Sequence, residues 1–209
     1  YDIQTEKIIF KKSLEHFQRI GEESMKLMIA SDIHGSAFYC EKMINAYRKE
    51  RAEKLLLLGD ILYHGPRNDL PEEYEPKRVL AMLNEMSGEL LCVRGNCEAE
   101  VDQMVLDFPI MAEYCILYLE GHMIFAAHGH HFNEENPPKL KKGDILLNGH
   151  THIPKCAEHE NYIYMNPGSV AIPKEGSRHG YMTVEGNDFL WKDLDGNCYD
   201  TFRLVQTEN

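Results

Sequence analysis

Residues 26–35 read KLMIASDIHG, and this stretch decides the fold class. The run KLMIA is a short apolar segment of the kind that forms a buried strand, and Asp32 and His34 follow it closely. Gly35 lets the backbone turn sharply beside those side chains. Because side chains two residues apart share a face of an extended chain, Asp32 and His34 are predicted to point the same way.

Four further apolar runs end in polar residues of the same kind. KLLLLG leads into Asp60, LLCVRG into Asn96, MIFAA into His128, and DILLNG into His150 and His152. In open α/β sheets, ligands bind outside the carboxyl ends of the strands. The strand ends are therefore predicted to deliver their polar side chains to one rim of the fold.

These side chains are of types that bind divalent metal ions. Carboxylate, amide oxygen and imidazole suit ions of intermediate hardness; manganese is the first expectation, with iron, zinc, nickel and cobalt as alternatives. The number of predicted ligands is larger than the four that a single tetrahedral ion uses. Two ions are therefore expected, about 3.5–4 Å apart and sharing a carboxylate. The predicted ligands are Asp32, His34, Asp60, Asn96, His128, His150 and His152.

The order of the predicted elements indicates a mixed α/β fold. Between residues 25 and 96, strand patterns alternate with helical patterns over 37–51 and 76–87, which favours a parallel sheet. After about residue 112, short strand patterns follow one another with little helix between them. We therefore expect one domain over residues 25–209, built as a sandwich of two mixed sheets with helices outside.

Residues 1–24 differ from the rest of the chain. Apolar side chains at Ile9, Leu14, Phe17 and Ile20 have close to helical spacing, and Gly21 is a plausible end of the helix. This segment is predicted to be a helical extension. It either has no catalytic role or makes a contact in an oligomer.

Charge and composition argue against several classes of function. Acidic residues outnumber basic ones 34 to 22, which repels nucleic-acid backbones, and no basic stripe offsets this charge. No apolar run approaches the roughly 20 residues that cross a bilayer. The first residues lack the features of a secretory signal, and the six cysteines are scattered without a C-x-x-C pair. A cytoplasmic protein with reduced thiols is therefore expected.

The ordered motifs SDIHG, GD, GNC, HGH and GHTH resemble those of the calcineurin-like metallophosphoesterase superfamily. GDILYHGPRNDLP, VRGNCEAEVDQM and NPGSVAIPK are similar to stretches of its small bacterial and archaeal phosphodiesterase branch. The resemblance covers about residues 25–205 and implies a four-layer αββα sandwich. It implies one metal held by Asp32, His34, Asp60 and His152, and a second held by Asp60, Asn96, His128 and His150.

The resemblance also implies a metal-dependent phosphodiesterase. Small phosphodiesters would be hydrolysed by in-line attack of a hydroxide that bridges the two metals. Two alternatives remain open: a phosphomonoesterase or nucleotidase of the same superfamily, and a non-catalytic interaction scaffold of the same fold, such as the subunit of this fold in the retromer complex. Loss of metal ligands would mark a scaffold, whereas every predicted ligand is present here. A homo-oligomer is also expected.

Cys97 departs from the G-N-H-[DE] pattern of many superfamily members, in which the histidine is thought to protonate the leaving oxygen. A thiol with a pKa near about 8.5 is a poorer proton donor to an alkoxide. The branch named above also carries cysteine here. Asp60, Asn96 and Cys97 are predicted to be catalytic, with His130 and His64 as alternative proton donors. His130 could equally orient a metal ligand.

The segment His64–Asn68 comes soon after the second predicted strand and is expected to overhang the site. Arg67 could clamp a phosphate oxygen with its planar guanidinium group. It could instead pair with a nearby carboxylate such as Asp69 or Glu72. His64 and Arg67 are therefore the predicted substrate-binding residues.

Overall fold

The first half of the chain alternates strands and helices in the computed structural model, which describes residues 25–205. The elements are β1 (Lys26–Ala30), α1 (Ala37–Glu50), β2 (Lys54–Leu57), α2 (Pro76–Asn84), a 3-10 turn (Ser87–Glu89), β3 (Leu90–Cys92) and the short α3 (Glu100–Gln103). Strand β2 pairs in parallel with both β1 and β3. The predicted parallel arrangement is therefore confirmed.

Local sequence explains where the first helices begin and end. The Ser36 hydroxyl accepts a hydrogen bond from the Tyr39 N–H at 3.2 Å, which caps the start of α1. Arg51, with a φ of 54°, ends that helix in a left-handed conformation. Pro76 suits the first turn of α2 because its fixed φ is already helical. Helix α2 ends at Asn84, earlier than the helical pattern over 76–87 predicts.

The second half of the chain consists of strands. They are β4 (Tyr114–Leu119), β5 (His122–Ala127), β6 (Asp144–Leu147), β7 (Pro154–Glu158), β8 (Tyr162–Pro167), β9 (Gly180–Glu185), β10 (Asp188–Asp193) and β11 (Cys198–Arg203). The first sheet has the order β11-β10-β9-β1-β2-β3, and the second has the order β4-β5-β6-β8-β7. Both sheets are mixed, since β1–β9 and β4–β5 pair antiparallel whereas β1–β2 and β5–β6 pair in parallel.

Alternating side chains place the main core between the two sheets. Leu27 and Ile29 of β1 face the second sheet, whereas Met28 and Ala30 face the helices. Trp191 of β10 is 1 % exposed and joins the inter-sheet cluster. Burying each large apolar side chain contributes about 1.5–3 kcal/mol, so this core fixes the strand ends that carry the predicted site.

The two mixed sheets with helices outside confirm the predicted fold class, with one difference in the outermost layers. Helices α1 and α2 cover the first sheet. On the second sheet, Phe132 and Leu140 of the β5–β6 connection pack against Phe125, Leu146 and Tyr164. Among the described residues this cover contains no helix. Its adjacent prolines and its asparagines disfavour one, so the fourth layer of the expected αββα sandwich is irregular on this side.

Three further features concern the chain as a whole. The helix predicted within residues 1–24 lies outside the described residues. Within residues 25–205, no helix combines the length and the apolar character that crossing a membrane requires. All six cysteines lie in the described part of the chain and are free thiols.

Candidate metal centre

The structure brings the seven predicted ligands together at the carboxyl ends of their strands. Asp32 and His34 follow β1, Asp60 follows β2, Asn96 follows β3, His128 follows β5, and His150 and His152 follow β6. Five of them are buried and at most 3 % exposed, whereas His150 is half-buried and Asn96 is exposed. The site therefore has a buried floor that opens to solvent on the side of His150 and Asn96.

One group of side chains surrounds Asp32. Its Oδ1 atom lies 3.5 Å from His34 Nε2 and 3.3 Å from His152 Nε2. The two Nε2 atoms of these histidines are 3.3 Å apart. Asp60 Oδ2 lies 3.6 Å from His34 Nε2. Carboxylate oxygens and imidazole nitrogens thus converge on one point.

A second group surrounds His128. Its Nε2 atom lies 3.1 Å from Asn96 Oδ1 and 3.1 Å from His150 Nδ1. Asp60 Oδ2 is 3.5 Å from the same Nε2 atom. A single carboxylate oxygen therefore faces both groups, and the grouping coincides with the division that the family resemblance implies.

Backbone carbonyl groups orient three of the imidazoles. The Nδ1 atoms of His34, His128 and His152 donate to the carbonyl oxygens of Tyr63, Leu58 and Ile172 at 2.8, 2.7 and 2.6 Å. Because a carbonyl oxygen only accepts, each Nδ1 carries the proton. In a neutral ring the Nε2 lone pair then points into the site, which is the arrangement of a metal-ligating histidine.

Two further observations fit a divalent cation at this place. Asp32 Oδ1 is buried and receives no hydrogen bond from the described residues. An unpaired buried carboxylate oxygen is costly, and a cation compensates for it. The Nε2 atoms of His34 and His152, at 3.3 Å, also face each other with lone pairs that repel unless a cation or proton lies between them.

The charges of the site attract cations. Burial alone would raise the pKa of Asp32, but His152 and His34, when their Nε2 atoms carry protons in place of a metal ion, hold that pKa well below its ordinary value. Burial alone would lower the pKa of His128, but Asp60 and Asp32 raise it to about 9. The negative potential that favours a proton on His128 also favours a divalent ion.

The backbone adopts an uncommon conformation at five of the seven predicted ligands. Their φ angles lie in the left-handed region, at 60° for Asp32, 48° for His34, 56° for Asp60, 65° for His150 and 63° for His152. Each such residue costs roughly 1–3 kcal/mol where the surrounding structure imposes it, and such residues cluster at functional sites. Here the left-handed turn follows a strand end and directs the side chain into the common site.

Glu98 is a buried carboxylate that no sequence pattern assigned to the site. Its oxygens accept hydrogen bonds from the N–H groups of Asp60, Ile61 and Gly95, at 2.9, 2.7 and 2.5 Å. Glu98 therefore ties the end of β2 to the turn that carries Asn96. Burial and the charge of Asp60 raise the pKa of Glu98. An acidic residue directly after G-N-C was the available sequence signal.

Gly95 is required for this close approach. A Cβ atom at position 95 would overlap Asp60 and the Glu98 carboxylate. The turn between β3 and Asn96 can therefore pass beside Asp60 only with glycine at this position.

A second support lies behind the H-x-H loop. Asn166 donates from Nδ2 to the carbonyl oxygen of Gly149 at 2.7 Å and to Thr151 Oγ1 at 3.1 Å. Ser169 donates to the carbonyl oxygen of Asp32 at 3.0 Å. The end of β8 and the turn that follows it thereby hold the loops after β1 and β6 side by side.

A cavity of about 410 Å³ lies above the floor. Arg67 lines it and shows no ion pair within the described residues, so the alternative pairing with Asp69 or Glu72 is not seen. Lys174, which no sequence pattern singled out, lines it too. The lining residues are Asp60, Gly65, Pro66, Arg67, Asn68, Asn96, Cys97, His150, Thr151, His152 and Lys174.

The side chain of His64 does not line the cavity. Its ring packs edge-on against Tyr63 and Tyr74, with centroids 4.7 and 5.1 Å away. The predicted role of His64 in binding substrate or donating a proton is therefore not supported by its position. The loop turns at Gly65, whose φ is 79°, and this turn sends His64 inward while Arg67 reaches the cavity.

The two remaining predicted catalytic residues differ in position. Cys97 lines the cavity, and burial together with the charge of Asp60 raises the pKa of its thiol. His130 lies beside His131, with ring centroids 4.0 Å apart, and is not part of the cavity lining. Burial and the nearby His128 lower the pKa of His130 to about 4, so its ring is neutral at neutral pH. Its position fits a neighbour of His128 better than a proton donor.

Paired clusters of carboxylate and imidazole groups that share one carboxylate are typical of hydrolases that use two divalent metal ions. Comparison with known proteins agrees with that class. The calcineurin-like phosphoesterase superfamily domain matches residues 25–188. The chain belongs to this superfamily.

Individual relatives show how far the similarity extends. The chain is 47 % identical over 166 residues to the phosphodiesterase YfcE of Escherichia coli strain K12, covering 79 % of this chain and 90 % of that protein. The solved structure of YfcE, a phosphoesterase from E. coli, aligns with a TM-score of 0.84 at 42 % identity, covering 87 % of this chain and all of the other. Vps29 of Chaetomium thermophilum aligns with a TM-score of 0.53 at 15 % identity, over 88 % of this chain and 98 % of that one, which shows the shared fold alone.

Proposed function

We propose that this protein is a phosphodiesterase that uses two divalent metal ions. The observation that carries the proposal is the position of Asp60 Oδ2, 3.6 Å from His34 Nε2 and 3.5 Å from His128 Nε2. One carboxylate thus faces two groups of ligands. The 47 % identity to a relative named as a phosphodiesterase, over 90 % of its length, supports the same reaction class.

Each of the two groups of side chains would hold one metal ion, with Asp60 shared between them. The donor set mixes carboxylate and amide oxygen with imidazole nitrogen, which suits manganese, our first expectation, as well as iron, zinc, nickel and cobalt. When bound, such ions would polarise the phosphoryl oxygens and neutralise the charge that develops during an in-line displacement. The first ion would be held by Asp32, His34, Asp60 and His152, and the second by Asp60, Asn96, His128 and His150.

The chain's own residues contribute geometry and charge. Glu98 and the carbonyl groups described above hold the ligands in place, which keeps the site organised before substrate arrives. The described lining holds no imidazole besides His150 and His152, so we expect a preference for phosphodiesters with good leaving groups.

The alternative of a non-catalytic scaffold is weakened by the state of the site. A scaffold has no need for an orphan buried carboxylate oxygen at Asp32 or for a left-handed backbone at five of the seven predicted ligands. Such costs persist where they serve binding or catalysis.

The test compares turnover of bis(p-nitrophenyl) phosphate with that of p-nitrophenyl phosphate. The protein is freed of metal with a chelator and reloaded separately with manganese, iron, cobalt, nickel or zinc, and its metal content is measured. We expect two ions per chain, turnover that requires metal, and faster turnover of the diester. A preference for the monoester would favour a phosphomonoesterase, and no turnover with any metal would favour a scaffold.

A further inference from the structure

The cavity above the floor carries two cationic side chains that the ligand groups do not need. Arg67 comes from the loop after β2 and Lys174 from the loop after β8. Within residues 25–205, neither side chain forms an ion pair. Other basic side chains of the fold, such as Lys42 and Lys77, also lack an ion pair in the described part of the chain. What sets Arg67 and Lys174 apart is that both line the cavity above the proposed ligands.

Lys174 is held in a defined place by its backbone. Its N–H donates to the carbonyl oxygen of His152 at 3.2 Å. Its own carbonyl oxygen accepts from Ser177 Oγ at 2.6 Å and from Ser177 N at 3.0 Å. Glu175 and Gly176, with φ angles of 54° and 71°, form the tight turn between them. The backbone of Lys174 is thereby fixed relative to His152, a proposed metal ligand.

The charges around the cavity indicate what Lys174 binds. Among the described lining residues Asp60 is the sole carboxylate, and the proposed ions would engage it. A phosphodiester carries one negative charge at phosphorus, which those ions would neutralise at the floor. Cations at the edge of the same cavity then suit a second negative group, one that belongs to another part of the substrate.

We propose that Lys174 is a specificity-determining residue, and that the substrate is a phosphodiester whose non-leaving arm carries a carboxylate or a further phosphate group. Arg67 is the second cation available to that anionic arm. This proposal rests on the proposed phosphodiesterase function and names its substrate class. Because Lys174 is exposed, replacing it should leave the fold intact.

Binding is tested first, without turnover, by calorimetry on the metal-loaded protein. The ligands are ethyl phosphate, phosphoglycolate and ethylene glycol bisphosphate, which share the phosphate and differ in the charge and type of the second group. Wild type should bind phosphoglycolate, ethylene glycol bisphosphate or both about tenfold more tightly than ethyl phosphate, as expected for one charge-assisted contact to the second anionic group. Lys174→Met should lose most of that preference, whereas Lys139→Met, an exposed lysine outside the lining, should retain it.

Turnover measurements then show whether Lys174 contacts the arm or the scissile phosphoryl group. The substrates are the p-nitrophenyl phosphodiesters of glycolate and of ethanol. Lys174→Met should raise KM for the glycolate diester about tenfold more than KM for the ethyl diester. An equal loss for both diesters would place Lys174 at the scissile phosphoryl group and overturn the proposal.

The outcomes also distinguish this proposal from the proposed function. If bis(p-nitrophenyl) phosphate is hydrolysed but wild type shows no preference for either anionic arm, the role of Lys174 is wrong and the phosphodiesterase stands. If Lys174→Met keeps the preference for an anionic arm, for instance because a carboxylate chelates the metals, the proposed role of Lys174 is also wrong. If the preference depends on Lys174 and no diester is hydrolysed, the anion site stands and the phosphodiesterase fails.

Discussion

Two carboxylate clusters that lie against the first sheet are built differently. At the end of α1, Glu50 Oε1 accepts from Tyr181 Oη at 2.9 Å and from Lys192 Nζ at 2.7 Å, and Oε2 lies 2.7 Å from Lys26 Nζ. Both of its oxygens are satisfied by the protein. At the ends of β1 and β2, by contrast, Asp32 Oδ1 has no hydrogen-bond donor among the described residues.

The difference shows how a ligand site can be told from a structural ion pair. Glu50 belongs to a regular helix and is surrounded by cations that match its charge. Asp32 and Asp60 stand in left-handed backbone, beside imidazoles whose free nitrogens converge on the same point. A buried carboxylate that lacks hydrogen-bond donors and stands in strained backbone indicates a functional site. A carboxylate whose oxygens are all bound by the protein indicates a role in stability.

The largest effect is expected from Asp60→Asn. The change keeps the size of the side chain but removes the charge shared by both ligand groups. Turnover of bis(p-nitrophenyl) phosphate should fall by on the order of 10³-fold or more, because metal ions supply several kcal/mol of transition-state stabilisation. Bound metal should fall with it, as measured by elemental analysis after gel filtration.

Asp195→Asn, in an exposed turn, is the matched control and should retain both metal and activity. The thermal midpoint of metal-free Asp60→Asn should be close to that of metal-free wild type, since the charge serves binding and not folding. Normal turnover in Asp60→Asn would contradict the assignment of a shared carboxylate.

A smaller effect is expected from Glu98→Gln. The amide keeps one oxygen acceptor but directs an NH₂ donor toward backbone N–H groups that now have no acceptor. Metal affinity should fall by about 10–100-fold, as is typical when a group that orients a ligand is altered. Metal titration followed by calorimetry measures it, with the exposed Glu100→Gln as control. Unchanged metal affinity would show that Glu98 is structural only.

Glu50→Gln should affect stability and leave catalysis intact. It removes the charge that pairs with Lys26 and Lys192, whose side chains are 22 % and 13 % exposed. The free energy of unfolding should fall by about 1–3 kcal/mol, measured by urea titration. Turnover by the metal-loaded variant should match that of wild type. A catalytic defect at equal metal content would remove the distinction between the two clusters.

The smallest expected effect is a pH dependence of the stability difference between wild type and Glu50→Gln. Burial alone would raise the pKa of Glu50, but Lys192, Lys26 and Tyr181 lower it from its ordinary value of 4.5 to about 2. Because the folded pKa is the lower one, the stabilisation is fully present well above pH 4.5 and is lost as the pH falls through about 2. The difference in unfolding free energy between wild type and Glu50→Gln should therefore shrink as the pH is lowered from 5 to 2. A difference that stays constant over this range would contradict the lowered pKa of Glu50.

The sequence predicted the fold and the ligands for the same physical reason. Buried strands read as short apolar runs, and the polar residue that ends each run marks the edge of the sheet, so the position of Asp60 after KLLLLG was readable from sequence. Strands β7 and β11 lacked this signal. PKCAE and CYDTFR are polar and lie at sheet edges, where burial imposes no apolar pattern.

Side-chain directions in loops and contacts between distant segments were not readable. His64 lies further from the end of its strand than the proposed ligands do, and its ring packs against Tyr63 and Tyr74 outside the cavity lining. Lys174 reaches the site only because β8 returns the chain beside His152, a neighbour more than 20 positions earlier. Such proximity depends on tertiary packing, which no local pattern encodes.

The segment from Ile172 to Lys174 limits how this protein can diverge. The carbonyl oxygen of Ile172 holds the His152 ring at 2.6 Å, and the N–H of Lys174 binds the His152 carbonyl oxygen at 3.2 Å. An insertion or deletion here would displace a proposed metal ligand together with the cation. Substrate preference is therefore free to evolve by replacing the side chain at position 174, while the length of the loop is held constant by the metal centre.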